Sequence, residues 1–448
     1  MSEWQKVKIG DFLDKTSVLG ESIENADELQ HLGVSNKLGI TITDHKKSKD
    51  ISKHQYIEQN YFAYNPYRIN VGSIGLTPEN VVGLVSPAYV VFKTKEHLLL
   101  PELLLDFLKS SDGLFQINKL ARGTVRKALR FSELCDVEMV IPPIENQQKI
   151  LKIKQSLQKE IDLLSGEISN QKTYLTQLRQ AILQEAIEGK LTADWRVKNP
   201  VQKGNPDHDA QALLETIKAE KQKLMADGKI KKEKPLAPIN PDDVPFALPD
   251  GWVWVRLDGL INPQRALTYG IVKMGNEPKS GGVKALRCSD VRFRFIDNSK
   301  IRCVSEKISE QFSRTVLAGD EILLNVRGTL GGCAITDKNH VGFNIAREVS
   351  LIVLMNTKLN RHILNVLTSP FFNRVIEDNL RGIAYKGLNL NLLSNFLIPL
   401  PPLAEQNAIV ERVDRLLESV NALELQVQER KSYAQQLMQA VLKEAFAG

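Results

Sequence analysis

The chain is written twice. Ile141-Pro142-Pro143-Ile144-Glu145-Asn146-Gln147 returns 259 positions later as Leu400-Pro401-Pro402-Leu403-Ala404-Glu405-Gln406. The match runs without a gap to Gly189 and Gly448, through Gln180-Ala181-Ile182-Leu183-Gln184-Glu185-Ala186 and Gln439-Ala440-Val441-Leu442-Lys443-Glu444-Ala445. Two unrelated helices do not share a Pro-Pro opening and a glycine stop in register. Upstream, Arg122-Gly123, Lys127 and Leu129 match Arg381-Gly382, Lys386 and Leu388 at the same spacing. Further back the spacing shrinks. Ile69-Asn70-Val71 pairs with Leu324-Asn325-Val326 at 255, and Trp4 with Val7-Lys8-Ile9 pairs with Trp252 with Val255-Arg256-Leu257 at 248. The second copy therefore carries extra residues, and the whole is a tandem repeat of globular unit and helix with a spacer between.

After each Pro-Pro, apolar residues recur at alternating steps of three and four. They are Ile150, Leu157, Ile161, Leu164, Ile168, Leu175, Leu178 and Ile182 in the first copy. In the second they are Ile409, Val413, Leu416, Val420, Leu423, Val427, Ala434, Leu437 and Val441, with Gln171 and Arg430 interrupting the two series at equivalent places. This is a coiled-coil seam, centred on Leu157, Ile161, Leu164 and Ile168 in one helix and Leu416, Val420, Leu423 and Val427 in the other. At 1.5 Å per residue each helix is ~65–70 Å long. A lone helix with an apolar stripe is not stable by itself. The economical partner is the other copy in the same chain, antiparallel; homodimerisation is the rival.

The boundaries follow. Residues 1–140 and 246–399 are globular, 141–189 and 400–448 are the long helices, and 190–245 is a spacer broken by Pro200, Pro206, Pro235, Pro238, Pro241 and Pro245. Ala210 to Asp227 reads as one helix in that spacer, a solvated tether. The fold class is α+β. Val81–Val85, Tyr89–Phe92, Glu321–Leu324 and Val349–Val353 read as strands, and Pro101–Lys109 and Leu359–Leu367 as helices.

The chain has a net charge of +6, and residues 246–399 carry 20 basic against 13 acidic residues. In the first unit bases cluster at Lys46, Lys47, Lys49 and Lys53, then at Lys119, Arg122, Arg126, Lys127 and Arg130. Arg122-Gly123-Thr124-Val125-Arg126-Lys127 and Arg381-Gly382-Ile383-Ala384-Tyr385-Lys386 are equivalent loops, each just before its helix. A glycine between cations lets backbone approach a phosphate, and arginine can read guanine in the major groove. The plain alternative is a solvated charged face. Asn70-Val71-Gly72-Ser73-Ile74-Gly75 and Arg327-Gly328-Thr329-Leu330-Gly331-Gly332 are turns between strands or DNA-facing loops, since neither fits the phosphate-loop pattern. The candidate DNA contacts are Lys46, Lys47, Arg122, Arg126, Lys127, Arg130, Arg327, Arg381, Tyr385 and Lys386.

Enzyme motifs fail. Asn65-Pro66-Tyr67 is similar to the Asn-Pro-Pro-Tyr/Phe loop of amino-methyltransferases, but one proline is missing and no Gly-rich nucleotide turn precedes it. Pro249-Asp250 with Glu277-Pro278-Lys279 fits a metal-dependent nuclease only loosely. Seven histidines form no metal spacing, and Cys135, Cys288, Cys303 and Cys333 form no CxxC pair. No apolar run approaches a membrane span and no secretory signal opens the chain, so a cytoplasmic protein is expected.

Two globular units, each followed by Pro-Pro and a long heptad helix ending in Gln-Ala-Ile/Val-Leu-Gln/Lys-Glu-Ala, resemble the specificity subunit of type I restriction–modification enzymes along essentially the whole chain. Leu400-Pro401-Pro402-Leu403-Ala404-Glu405-Gln406-Asn407-Ala408-Ile409-Val410 is the most specific stretch. Gly189-Lys190-Leu191-Thr192-Ala193-Asp194-Trp195-Arg196 is similar to the family's exit from its first helix. The first copy departs from the pattern, with Asn146-Gln147-Gln148 where the second has Glu405-Gln406-Asn407. The resemblance implies a non-catalytic reader with two target-recognition domains on an antiparallel helix pair. It implies an asymmetric, bipartite double-stranded DNA target and no cofactor on this chain. Its partners would be two modification subunits that bind S-adenosylmethionine and methylate adenine, and restriction subunits that use ATP and Mg2+. The alternatives are a self-contained methyltransferase or nuclease, and a coiled-coil scaffold with no DNA role.

Overall fold

A computed structural model describes residues 5–43, 51–123, 127–231, 236–380 and 387–447. The chain divides into two units, residues 1–168 with 429–448, and residues 169–428.

In the first unit, β1 (Gln5–Lys8) pairs antiparallel with the strand just before the long helix, Glu138–Ile141. Between them lie β2 (Leu13–Lys15), β3 (Gln30–Ser35), β4 (Gly39–Ile42), β5 (Gln55–Ile57), β6 (Phe62–Tyr64), β7 (Ile74–Leu76), β8 (Gly83–Val85) and β9 (Val90–Thr94); Glu138–Ile141 is β10. Two four-stranded sheets form, ordered β2-β9-β6-β7 and β4-β3-β8-β5, the second containing one parallel pair, β3 with β8. The Val-Val-Phe run of β9 suits a buried strand, and Phe92 stacks on Phe62 at 4.7 Å. Helix α1 (Pro101–Lys109) starts on proline and turns Leu103, Leu104, Phe107 and Leu108 into this core. Helix α2 (Ser111–Leu120) is capped by the Ser110 hydroxyl, which accepts from Gly113 N. The short α3 (Phe131–Leu134) leads into β10.

The second unit repeats the frame. β11 (Val253–Arg256) pairs with the strand Leu397–Leu400, which is β19. β12 (Thr268–Tyr269), β13 (Val283–Leu286), β14 (Arg302–Val304), β15 (Ile322–Asn325), β16 (Cys333–Ile335), β17 (Asn344–Ile345) and β18 (Val349–Ile352) form sheets ordered β12-β18-β15-β16 and β14-β13-β17, again with one parallel pair, β13 with β17. The strand pairings set the true alignment of the copies. Tyr64 lies opposite Ile74 and Val90, as Leu324 lies opposite Cys333 and Ser350. Asn325 is thus the counterpart of Asn65, 260 positions away, and the match of Asn325 to Asn70 is out of register. Spacing grows from 248 at Val7 and Val255 to 260 here. Part of the gain lies before β13, where residues 257–282 replace 9–29, and the largest excess is in the connection of β13 to β14, 287–301, against 36–38 between β3 and β4.

The long helices are α4 (Ile144–Ile187) and α12 (Leu403–Ala447). Each opens on a buried glutamine that closes the proline turn: Gln147 Nε2 donates to Pro142 O and Gln406 Nε2 to Pro401 O, both at 2.8 Å. Between them, α5 (Ala193–Lys198) and α6 (Ala210–Ala226) lie in the spacer. Helix α6 is not a solvated tether. Its Ala210, Leu213, Leu214 and Ile217 enter the core of the second unit, and Lys221 donates to Asp258 O. The second unit adds α7 (Leu257–Leu260), α8 (Glu306–Gln311), α9 (Asn360–Leu367), α10 (Pro370–Leu380) and α11 (Leu390–Asn395).

Within the second unit, residues 169–187 of α4 run antiparallel to 403–428 of α12. Arg179 grips Glu424 with two hydrogen bonds of 2.8 and 3.0 Å, while beyond the end of α4 Arg412 reaches Leu191 O and the Asp194 carboxylate. The Arg412 guanidinium holds Asp194 well below the usual carboxylate range, at about 2. This register brings Leu175 level with Val427 and Ile182 level with Val420, and all four are buried. Leu416 and Leu423, expected in the seam, are 39% and 44% exposed; Leu417 is buried instead, and Glu424 takes the seam position where Arg179 neutralises it. A step of four satisfied the heptad as well as a step of three, and the ion pair sits where the observed seam places Glu424. Leu178 and Leu437 are likewise exposed, as is Arg430, while Leu157, Ile161, Leu164 and Gln171 are half-buried and Ile168 is buried.

The start of α12 is tied to the exit of α4 by one carboxylate. Glu405, 1% exposed, accepts from Thr192 Oγ1 (2.6 Å), Arg196 Nη1 (2.5 Å) and Trp252 Nε1 (2.8 Å). Arg196 Nη2 also donates to Gly189 O at 2.7 Å. Gly189 has φ of +72°, and a Cβ there would sit 2.7 Å from Pro249, so the glycine stop is required by both backbone and space. Nearby, His362 is buried against Trp252, with Nε2 2.8 Å from Pro399 O, and burial holds its pKa near 4.

Two outcomes follow for the full chain. Leu417→Ala lowers the unfolding free energy by about 2–4 kcal/mol, whereas Leu416→Ala costs under about 1 kcal/mol, as read from urea unfolding. His362 has a folded pKa below the ~6.5 of an unfolded histidine, so its stabilisation is complete above that value and is lost as pH falls towards 4. Melting temperature should drop through this window, and His362→Gln should flatten the drop.

Candidate nucleic-acid interface

In both units two loops that are far apart in sequence are held against each other. One is the hairpin loop after β6 or β15; the other is the basic loop that precedes the last strand. Leu129 N donates to Pro66 O at 3.0 Å, and Leu388 N donates to Val326 O at 2.7 Å, at equivalent positions. Each contact is backed by a tyrosine hydroxyl: Tyr64 Oη donates to Leu129 O, and Tyr269 Oη to Leu388 O. The Gly-rich loop and the described ends of the Arg-Gly loop thus meet in the first unit, and in the second the Gly-rich loop meets Gly387 and Leu388.

In the first unit Asn65 Oδ1 accepts from Tyr67 N and turns the chain so that Tyr67 (58% exposed) and Arg68 face outward while Ile69 is buried beneath. Gly72, with φ of +83°, closes the turn. Across from it, Arg122 and Ala128 exchange two backbone hydrogen bonds and close the basic loop. Lys127 borders a depression of about 650 Å³ with Asn65, Tyr67, Arg68 and Asn70. Arg122 and Arg130 are exposed; Arg122 has one long contact, 3.8 Å, to Glu133. Lys46, Lys47 and Arg126 lie outside the described residues.

In the second unit Asn325 is buried and braces its loop, donating to Cys288 O, Val291 O and Thr329 O. Arg327 is half-buried, with its guanidinium 5.2 Å from the Tyr269 ring, and it bridges to Gly387. Its place is beside the basic loop, of which Arg381, Tyr385 and Lys386 lie outside the described residues. The excursion 287–301 borders the Gly-rich loop, with Asn325 donating to Cys288 O and Val291 O. Arg292 and Phe293 line a depression of about 430 Å³ with Thr329, Gly331 and Gly332. Arg68, Tyr67 and Arg292 were not among the sequence candidates. The signal for the last was the run Arg292-Phe293-Arg294-Phe295, two cations alternating with two aromatics.

The nuclease pattern does not assemble. Glu277 accepts from Cys303 N and pairs with Arg302, and among the described residues no group of three or more His, Cys, Asp or Glu could hold a metal ion. No helix among them is long and apolar enough to cross a membrane.

Comparison with known proteins agrees with this frame. The family model described as "Type I restriction modification DNA specificity domain" matches residues 1–171 and 249–430, one match for each copy. The EcoBI specificity subunit of Escherichia coli is 26% identical over 333 residues, 74% of this chain and 62% of that protein. The EcoEI specificity subunit of the same organism is 30% identical over 299 residues, 62% of this chain and 46% of that one. The MjaVIII specificity subunit of Methanocaldococcus jannaschii is 22% identical over 97% of this chain and 92% of its own. The chain thus spans less than two thirds of the two Escherichia coli relatives. Among solved structures, one described as the "structural basis underlying complex assembly and conformational transition of the type I R-M system" superposes with a TM-score of 0.69 at 18% identity, covering 100% of this chain and 98% of that one. The HsdS subunit of Thermoanaerobacter tengcongensis gives 0.56 at 19% identity, covering 100% and 97%. With the family model matching most of its length, this chain belongs to the type I restriction–modification DNA specificity family.

Proposed function

We propose that this chain is the DNA-reading, non-catalytic component of a cytoplasmic type I restriction–modification complex, and that its two recognition domains read the two unlike halves of a bipartite duplex target. One observation carries the reading. The same pair of loops is clamped by the same backbone hydrogen bond in both units, yet the residues displayed beside it differ: Tyr67 and Arg68 in one, the half-buried Arg327 and the 287–301 excursion in the other. A shared frame with unlike side chains suits two half-sites of unlike sequence. Arginine and lysine supply phosphate anchoring and guanine contacts, and aromatic groups meet thymine methyls.

The helix pair acts as a ruler for the gap between half-sites. It also offers related surfaces to two modification subunits, which bring S-adenosylmethionine and transfer its methyl group to adenine. Restriction subunits using ATP and Mg2+ join for cleavage. This chain contributes binding, spacing and orientation.

Two experiments test the reading. Adding or removing residues between Leu157 and Leu164 should change the tolerated gap and leave both half-site sequences alone; a change of half-site bases with an unchanged gap would contradict it. Replacing Arg122 and Lys127 by alanine should weaken binding of the assembled complex. It should also flatten the plot of log affinity against log salt by about 0.9 for each lost phosphate contact. An unchanged slope removes that loop from the interface.

A further inference from the structure

The second unit exceeds the first most in the connection at residues 287–301, and that connection is tightly built. The Arg287 side chain makes two hydrogen bonds to the buried Asp290 and one to Lys300 O, and its backbone N donates a third to Asp290. Asn325 Nδ2 donates to Cys288 O and Val291 O. At its tip a hairpin is closed by Arg292 N donating to Phe295 O, and it adds to the free edge of β16: Cys333 N donates to Arg292 O and Arg294 N to Cys333 O.

Arg294 is the unusual residue. Its φ is +66°, a left-handed conformation that costs a non-glycine residue about 1 kcal/mol or more. The conformation turns its side chain inward. Nη1 donates to Asn365 Oδ1 at 2.7 Å and to Thr368 Oγ1 at 3.3 Å on the α9 side, and Nη2 lies 3.8 Å from Asp414 of α12. Its neighbours point the other way. Phe293 is 38% and Phe295 58% exposed, and the exposed Arg292 side chain makes no hydrogen bond or ion pair among the described residues. Asp297, at the foot of the hairpin, accepts from Ser299 N. A strained residue held as an anchor, with Phe295 and the Arg292 cation displayed beside it and Asp297 in the field of that cation, is an expensive way to make a surface turn. The display is continuous with the Gly-rich loop, since Arg292 and Phe293 share their depression with Thr329, Gly331 and Gly332.

We propose that the Arg292–Phe295 hairpin is a base-reading element of the second recognition domain, in which Phe295 makes apolar contact with base edges in duplex DNA and Arg292 supplies the adjoining polar or phosphate contact. This rests on the DNA-reading function above and locates part of its specificity for one half-site. Arg294 is a positioning residue: it holds the hairpin against α9 and α12 so that Phe295 stays displayed, while Phe293 lies beside the Arg179 guanidinium of α4, 6.0 Å from it. Duplex DNA fits the surface better than a protein partner because the displayed charge is positive and the neighbouring loop brings glycine backbone without side chains.

The test uses the full chain assembled with its modification subunits. Methylation is scored on a randomised duplex library by sequencing the modified products. Phe295→Ala and Arg292→Ala should each lower discrimination by roughly tenfold or more at one or two base pairs of a single half-site. The other half-site and the gap should be untouched, and the complex should elute as the wild type does. An unchanged motif in both variants overturns the proposal. So does loss of assembly in both, which would assign the hairpin to a protein contact. Failure of the underlying reading looks different: the wild-type complex itself would then methylate no two-part motif, and both ideas would fall together.

Discussion

A single buried carboxylate ties the beginning of one long helix to the end of the other. An ionised group out of water costs several kcal/mol unless its lone pairs are met, and breaking such a site by removing one partner is worse than never having built it. Glu405 is met by Thr192, Arg196 and Trp252 together, from the exit of α4, from α5 and from the approach to β11. A slide of α12 by one turn would strand the charge. The site therefore selects one register, and Arg179 with Glu424 and Arg412 with Asp194 repeat that choice along the pair. A buried polar site that fits only one register serves uniqueness more than stability, as the proposed ruler would need.

The same logic explains why the motif glutamine is kept in both copies while its neighbour is not. Gln147 and Gln406 each close their own proline turn, a local task that recurs wherever the turn recurs. Glu405 meets the exit segment and the second recognition unit, while its counterpart Asn146 is half-buried. Difference at this position reflects different surroundings of two otherwise equal helix starts.

Much of the fold was legible because it rests on periodicity and punctuation. The duplication, the helix starts at the proline pairs, α1, and strands such as β9 and β18 follow from residue patterns that sterics and burial leave few ways to satisfy. What could not be read were choices settled by distant partners. Leu416 and Leu417 are adjacent, and which one is buried follows from the register of the helix pair, marked by Arg179 with Glu424 and Arg412 with Asp194. Helix α6 looked solvated because its apolar residues are few; their partners come from the core of the second unit. The candidate site was legible as two separate loop families. Their union depends on Leu129 meeting Pro66 and Leu388 meeting Val326, contacts with no local signature. The misaligned pairing of Asn70 with Asn325 has the same origin, since strand neighbours, and not residue similarity, identify Asn65 as the counterpart.

The proposed function makes each recognition unit an independent reader of one half-site. It is tested most directly by exchanging residues 246–399 for the matching domain of a relative with a different target and mapping methylated adenines made by the assembled complex. The account predicts that one half of the motif changes to the donor's while the other half and the gap stay as they were. A hybrid whose two halves both change, or whose gap changes with them, would contradict it.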